Sequence, residues 1–177
     1  MGQMQNTSGR IKITPRKDHR RRKNEIYDNK IFREMSSRFV HLCSTGTLKQ
    51  ILEVAPFIKD ETEIITGLYW ACYNGDVDKV KFLMTLLTGG NVTLKHLRTA
   101  CVPYYDDNLD GHLKTVEILL ANFSFNIPDL DKFINDITMP YIEHASTYAI
   151  YLESLKPLLT EYYYRLDGPG YNQNIIS

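Results

Sequence analysis

Asp106, Asn108 and Asp110, with Gly111 beside them and Glu117 six residues later, stand at the spacing of a calcium-binding loop. The pattern D-x-[DN]-x-[DN]-G-x5-E is met in full. Alternate side chains would supply hard oxygen ligands, the glycine would permit a sharp turn, and Glu117 would close the shell with both carboxylate oxygens. Two features weigh against this reading. Lys114 occupies a place where a polar or acidic water-holding residue is usual, and no second loop of the kind exists to pair with it. The expectation is therefore no bound metal, and an exposed acidic loop in which Tyr104 and Tyr105 are available to a partner.

The other residues able to do chemistry form no catalytic pattern. The five histidines are His19, His41, His96, His112 and His144. There is no HExxH, no G-x-S-x-G, no phosphate loop and no dinucleotide fingerprint, so neither an enzymatic activity nor a cofactor is expected. Cys43, Cys72 and Cys101 are odd in number and include no C-x-x-C, which argues against a disulfide framework. They are expected to be small buried packing residues, with a reactive or metal-bound thiol as the lesser alternative.

Charge divides the chain. The 177 residues hold 21 Lys/Arg and 21 Asp/Glu, a formal net of zero. Residues 1–23 carry eight of those cations and one Asp, a net of +7, which leaves thirteen cations and twenty acids, a net of −7, for the remainder. Arg16, Lys17, Arg20, Arg21, Arg22 and Lys23 form the centre of this basic arm. With few apolar residues it is predicted to be disordered or extended. Clustered guanidinium groups suit phosphates or an acidic neighbour, and with no aromatic residue interleaved any nucleic-acid contact would be to backbone. A plain solvated tail is the alternative. Asn6 stands where N-myristoylation of Gly2 would want Ser or Thr, which disfavours that modification. No apolar run approaches the ~20 residues of a membrane span, and no secretory signal is evident, so an intracellular protein, cytoplasmic or nuclear, is expected.

The elements that must carry these residues repeat. Cys43, Cys72 and Cys101 are each separated by 29 residues. Each closes a short stretch that opens on a large apolar residue (Phe39, Leu68, Leu97). Gly46 and Gly75 follow the first two cysteines at the same distance, and Gly111 is taken as their counterpart, displaced by a seven-residue insert. Matched apolar positions follow: Ile51-Leu52, Val80 and Leu83, Val116 and Leu119-Leu120. Spacing of i, i+3, i+4 predicts a pair of short helices in each copy. Neither helix is long enough to stand alone, so the copies must stack. Residues 24–34 are predicted to begin a capping helix, and Ser36 or Ser37 to cap the next. Residues 55–65, with Pro56, Asp60, Glu61 and Glu63, are expected to be a solvated loop. Tyr141–Tyr164 is predicted to be helical but interrupted at Pro157, and at least one of Tyr162, Tyr163 and Tyr164 is expected to be exposed.

Thr66-Gly67-Leu68-Tyr69 with Ala71-Cys72, and Gly111-His112-Leu113 with Val116 and Leu119-Leu120, resemble ankyrin repeats over about residues 37–125. Gly89-Gly90-Asn91-Val92 stands where the family's closing turn falls; no copy has the family's proline. The resemblance implies an all-α fold: a short, divergent ankyrin-like solenoid of three to four repeats plus caps at residues 24–165, after the arm at 1–23 and before a tail at 166–177. Arrays of this kind, rich in Asn, Ile, Lys and Tyr, are similar to those of large DNA viruses and intracellular parasites, which adds a virion as a location. The resemblance also implies that the first helix of each repeat faces a protein partner. The places so named are Val40 and His41, Tyr69 and Trp70, and Arg98 and Thr99, with Tyr73 completing an aromatic cluster. Trp70 either anchors an interface or packs between repeats. The expected role is a non-catalytic protein-binding module. The alternative is a structural component of a larger particle, with the basic arm on nucleic acid or an acidic neighbour.

Overall fold

The computed structural model describes residues 18–88, 92–103, 108–138 and 145–167, and among them the chain is all helical, with no strand. Eight α-helices follow in order: α1 Asp18–Thr45, α2 Leu48–Val54, α3 Glu61–Tyr73, α4 Val77–Leu86, α5 Leu94–Cys101, α6 Leu109–Asn122, α7 Leu130–Thr138 and α8 Ala145–Asp167; a 3-10 turn, Ala55–Phe57, extends α2. No helix among the described residues is long and apolar enough to cross a membrane.

Each odd-numbered helix packs on the even-numbered one that follows it. The pairs then lie against one another in two rows, α1 on α3 on α5 and α4 on α6 on α8. The apolar stripes account for this. Ile64, Gly67, Leu68, Ala71 and Cys72 bury one face of α3, an i, i+3, i+4, i+7, i+8 series that points one way on a 3.6-residue helix. Phe39 and Cys43 of α1, Leu97, Ala100 and Cys101 of α5, and Val116 and Leu119 of α6 are fully buried beside it. Burying each large aliphatic side chain contributes ~1.5–3 kcal/mol, which a helix this short needs from its neighbours. The three cysteines are unbridged and buried, as their spacing predicts. Burial pushes the Cys43 and Cys72 thiols up to about 12, and Cys101 further still.

Helix starts explain two departures from the sequence expectation. The acidic group at 60–63 is not loop. Asp60 is the N-cap of α3, its Oδ1 accepting from the Thr62 N–H at 2.9 Å, and Glu61 and Glu63 lie in the first turn. Carboxylates there meet the positive end of the helix dipole. Ser36 and Ser37 cap nothing, because α1 runs unbroken from Asp18 to Thr45 with Ser36 buried in its interior. The helix therefore reaches into the basic arm: the backbone of Arg20, Arg21, Arg22 and Lys23 lies in its first turns, where a disordered or extended segment is expected. Arg16 and Lys17 lie outside the described residues, as do residues 168–177 of the expected 166–177 tail, whose first two residues, Leu166 and Asp167, end α8.

Pro157 does not interrupt α8. A proline removes the N–H that the carbonyl four residues earlier would accept; that residue is Glu153, and both it and Pro157 are exposed, so water can take the place of the missing donor. Along the same helix Tyr148, Tyr151, Leu155, Leu159 and Tyr162 are buried. Tyr163 is half-buried and Tyr164 is 66% exposed, in keeping with the expectation for that tyrosine run.

Candidate interaction surface

The turn between α3 and α4 shows how successive pairs are held in register. Gly75 has φ +60, the left-handed conformation that closes a helix and that side chains resist. The amide of Asn74 then reaches back and donates to the Ser44 carbonyl at 2.6 Å, at the end of α1. From the next pair, the Asn108 amide donates to the Asn74 and Gly75 carbonyls at 3.1 and 3.0 Å. Helix ends leave carbonyls without intrahelical partners, and here an asparagine from the following pair supplies the donor each time.

This geometry reassigns the calcium-loop pattern. Asp106 and Asp107 lie outside the described residues, with Tyr104 and Tyr105. Asn108 spends its amide on the neighbouring turn. Asp110 and Glu117 both sit inside α6, seven residues apart, which at 1.5 Å per residue is ~10 Å along the axis, too far to share one ion. Gly111 is likewise not the turn glycine of its pair. It is the third residue of α6, buried, and a β-carbon there would lie 2.4 Å from the Gly75 carbonyl oxygen. Close approach of helix to turn, not a bend, requires the glycine.

Two histidines complete the scaffold. His96 Nδ1 lies 3.2 Å from the Thr93 N–H and its Nε2 lies 3.2 Å from the Ile65 carbonyl. The ring meets both partners when neutral, with its proton on Nε2. His112 Nδ1 lies 2.9 Å from the Ala100 carbonyl, which also accepts from Tyr151 Oη at 3.3 Å. The last turn of α5 is thus tied to α6 and α8. Burial holds both imidazoles below their ordinary value. The Thr93 hydroxyl also lies 3.1 Å from His96 Nδ1, so each ring is bonded to groups of the helices it joins. His144 lies outside the described residues.

The sequence-predicted contact residues other than Tyr104 and Tyr105 are distributed over α1, α3 and α5, the helices of one row. His41 is exposed on α1, with Val40 half-buried beside it. Tyr69, Trp70 and Tyr73 are half-buried on α3 and meet edge to face, Tyr69 with Trp70 and Trp70 with Tyr73, each at 5.6 Å between ring centres. Trp70 leans on the core with part of its ring and leaves the rest open. Arg98 is exposed on α5, and Thr99 is half-buried. Lys95 was not singled out in the sequence, yet its ammonium lies 4.7 Å over the Tyr69 ring, a favourable position against the negative face of the ring. Its signal was present: Lys95 is three residues before Arg98, one helical turn along the same face.

Beyond α5 the row opens. Residues 123–129 connect α6 to α7 without helix, and a groove of about 350 Å³ lies between α5 and α7. Arg98 spans it, 3.9 Å from Asp136 of α7. Among the described residues no group of His, Cys, Asp and Glu converges as a metal site would require. Comparison of the chain with protein families, with curated proteins and with solved structures finds no match.

Proposed function

We propose that the protein is a non-catalytic binding module, an ankyrin-like stack of helix pairs whose first-helix row engages another protein. The observation that carries this reading is the aromatic group Tyr69–Trp70–Tyr73, held edge to face, half open to solvent and with the Lys95 ammonium over Tyr69. Trp, Tyr and Arg are the residues most enriched where interfaces concentrate their energy, and rings already fixed by one another lose little freedom on binding. The spacing of the three cysteines and the turn-to-turn asparagine bonds support the repeat reading of the stack.

Partner capture from source cells with the full-length protein, followed by titration of the captured partner, tests it. Trp70→Ala is expected to weaken binding by ~2 kcal/mol or more, about thirtyfold, with the thermal midpoint nearly kept. Unchanged affinity refutes the role of the row, and a collapse of the midpoint shows instead that Trp70 is core. A second reading, an assembly component tied by its basic arm to nucleic acid, is favoured by the +7 and −7 division of charge. It expects binding that falls steeply with salt and is lost on deleting residues 1–23.

A further inference from the structure

We infer that the groove between α5 and α7 takes an acidic peptide segment bearing an apolar side chain; this rests on the interaction reading and names the chemistry of the partner. In a regular stack α7 would pack on α5 as α5 packs on α3. Instead α7 is held on α8, where Tyr148 Oη donates to the Ile137 carbonyl at 2.7 Å, and the 123–129 connection sets it away from α5. Ile127, Phe133 and Leu94 form the apolar wall of the gap. Its volume of about 350 Å³ falls in the range of sites that seat ligand groups, ~300–1,000 Å³.

Charge at the mouth decides the partner. Lys95, Arg98 and Lys132 stand there with Asp129 and Asp136. The Asp129 carboxylate already accepts the Lys132 backbone N–H at 2.8 Å, at the start of α7. Asp136 reaches Arg98 only at 3.9 Å, with both side chains about half exposed, so this pair is a weak surface contact that an incoming carboxylate can replace. Three cations against two carboxylates make a local positive surplus, although the chain outside the arm carries a net of −7. A planar guanidinium beside an apolar slot suits a carboxylate next to a buried side chain. Lys95 joins this mouth to the aromatic row through Tyr69, so one extended segment can lie across both.

A displayed library of random twelve-residue peptides, panned on the full-length protein, tests the inference. Parallel panning uses the Arg98→Glu/Lys132→Glu variant and Trp70→Ala, each checked by its thermal melt. Both charge reversals fall on exposed side chains, so the fold is expected to persist. The expected clones are rich in Asp and Glu around one or two aliphatic or aromatic residues, and a synthetic copy binds at least tenfold more weakly to the charge-reversed protein. Clones that are basic or uncharged overturn the inference. So do clones that bind the charge-reversed protein as well as the wild type while failing on Trp70→Ala, an outcome that leaves the proposed function standing. No enrichment on any of the proteins overturns both.

Discussion

Gly111→Ala sets two physical effects of opposite sign against each other. Gly111 is inside α6, where alanine is intrinsically the better residue by up to ~1 kcal/mol. If the glycine were merely a flexible residue in an exposed acidic loop, replacing it would stabilise the protein. The packing opposes this. The new β-carbon would lie 2.4 Å from the Gly75 carbonyl oxygen and 2.5 Å from both amide atoms of Asn108. The first neighbour is backbone, fixed because Gly75 sits in a left-handed turn, and the second is the side chain that bonds that same turn. Overpacking of this kind costs ~1–3 kcal/mol, so against the full helix gain a net loss of up to about 2 kcal/mol remains. For a chain of this size each kcal/mol moves the midpoint by ~2–4 °C, and a fall of up to about 8 °C is expected. Thermal unfolding followed by circular dichroism measures it, with Lys114→Ala on the exposed face of α6 as a control that stays within ~0.5 kcal/mol. A midpoint that rises in Gly111→Ala would show that α6 does not dock on the α3–α4 turn, and the register of the stack would have to be abandoned.

The remaining expectations concern the same scaffold. Asn108→Ala leaves two turn carbonyls without their donor and is expected to cost ~1–3 kcal/mol, while millimolar calcium or chelator leaves the wild-type melt unchanged; a calcium-dependent rise would restore the metal reading. His96 and His112 are held neutral in the fold, whereas the unfolded chain takes up protons near the ordinary value of 6.5. Their contribution is therefore complete above pH ~6.5 and is lost as pH falls through the lower folded-state values; melts from pH 8 to pH 5 should decline over that window, and His112→Asn should flatten the decline. The three thiols should ignore a thiol reagent at pH 8 in the native protein, since burial pushes Cys43 and Cys72 up to about 12, and all three should react in denaturant. Rapid native labelling would contradict their burial.

The sequence carried the helix pairs clearly, because burial writes itself as spacing: Leu68, Ala71 and Cys72 share one face whatever lies opposite. Boundaries were legible only where a local residue enforces them. Gly75 enforces one by its left-handed φ. Nothing between Asp18 and Thr45 is glycine or proline, so the cap preference of Ser36 and Ser37 had no break to act on and α1 continued through them. Gly111 was matched to Gly75 by its neighbours in the chain, but α6 starts earlier, at an N-cap Asn108. What Asn108 does could not be read locally, since the carbonyls it holds are 33 and 34 residues away. The same four residue types that spell a calcium loop also spell a helix start docked on a turn, and only the partner in space distinguishes them. The α5–α7 groove was equally invisible, because it depends on how far the unpatterned connection at 123–129 displaces α7.

These two kinds of information meet in the proposed function. The asparagine bonds act at the turn ends of the pairs, so they fix the register of α1, α3 and α5 against one another without using the open face of the row. That row carries exposed residues whose contacts with the fold are weak or local, such as His41 and Arg98, as well as rings that lean on the core, such as Trp70. Under the proposed function, the Tyr69, Trp70 and Tyr73 rings, already packed on one another, lose little freedom on binding.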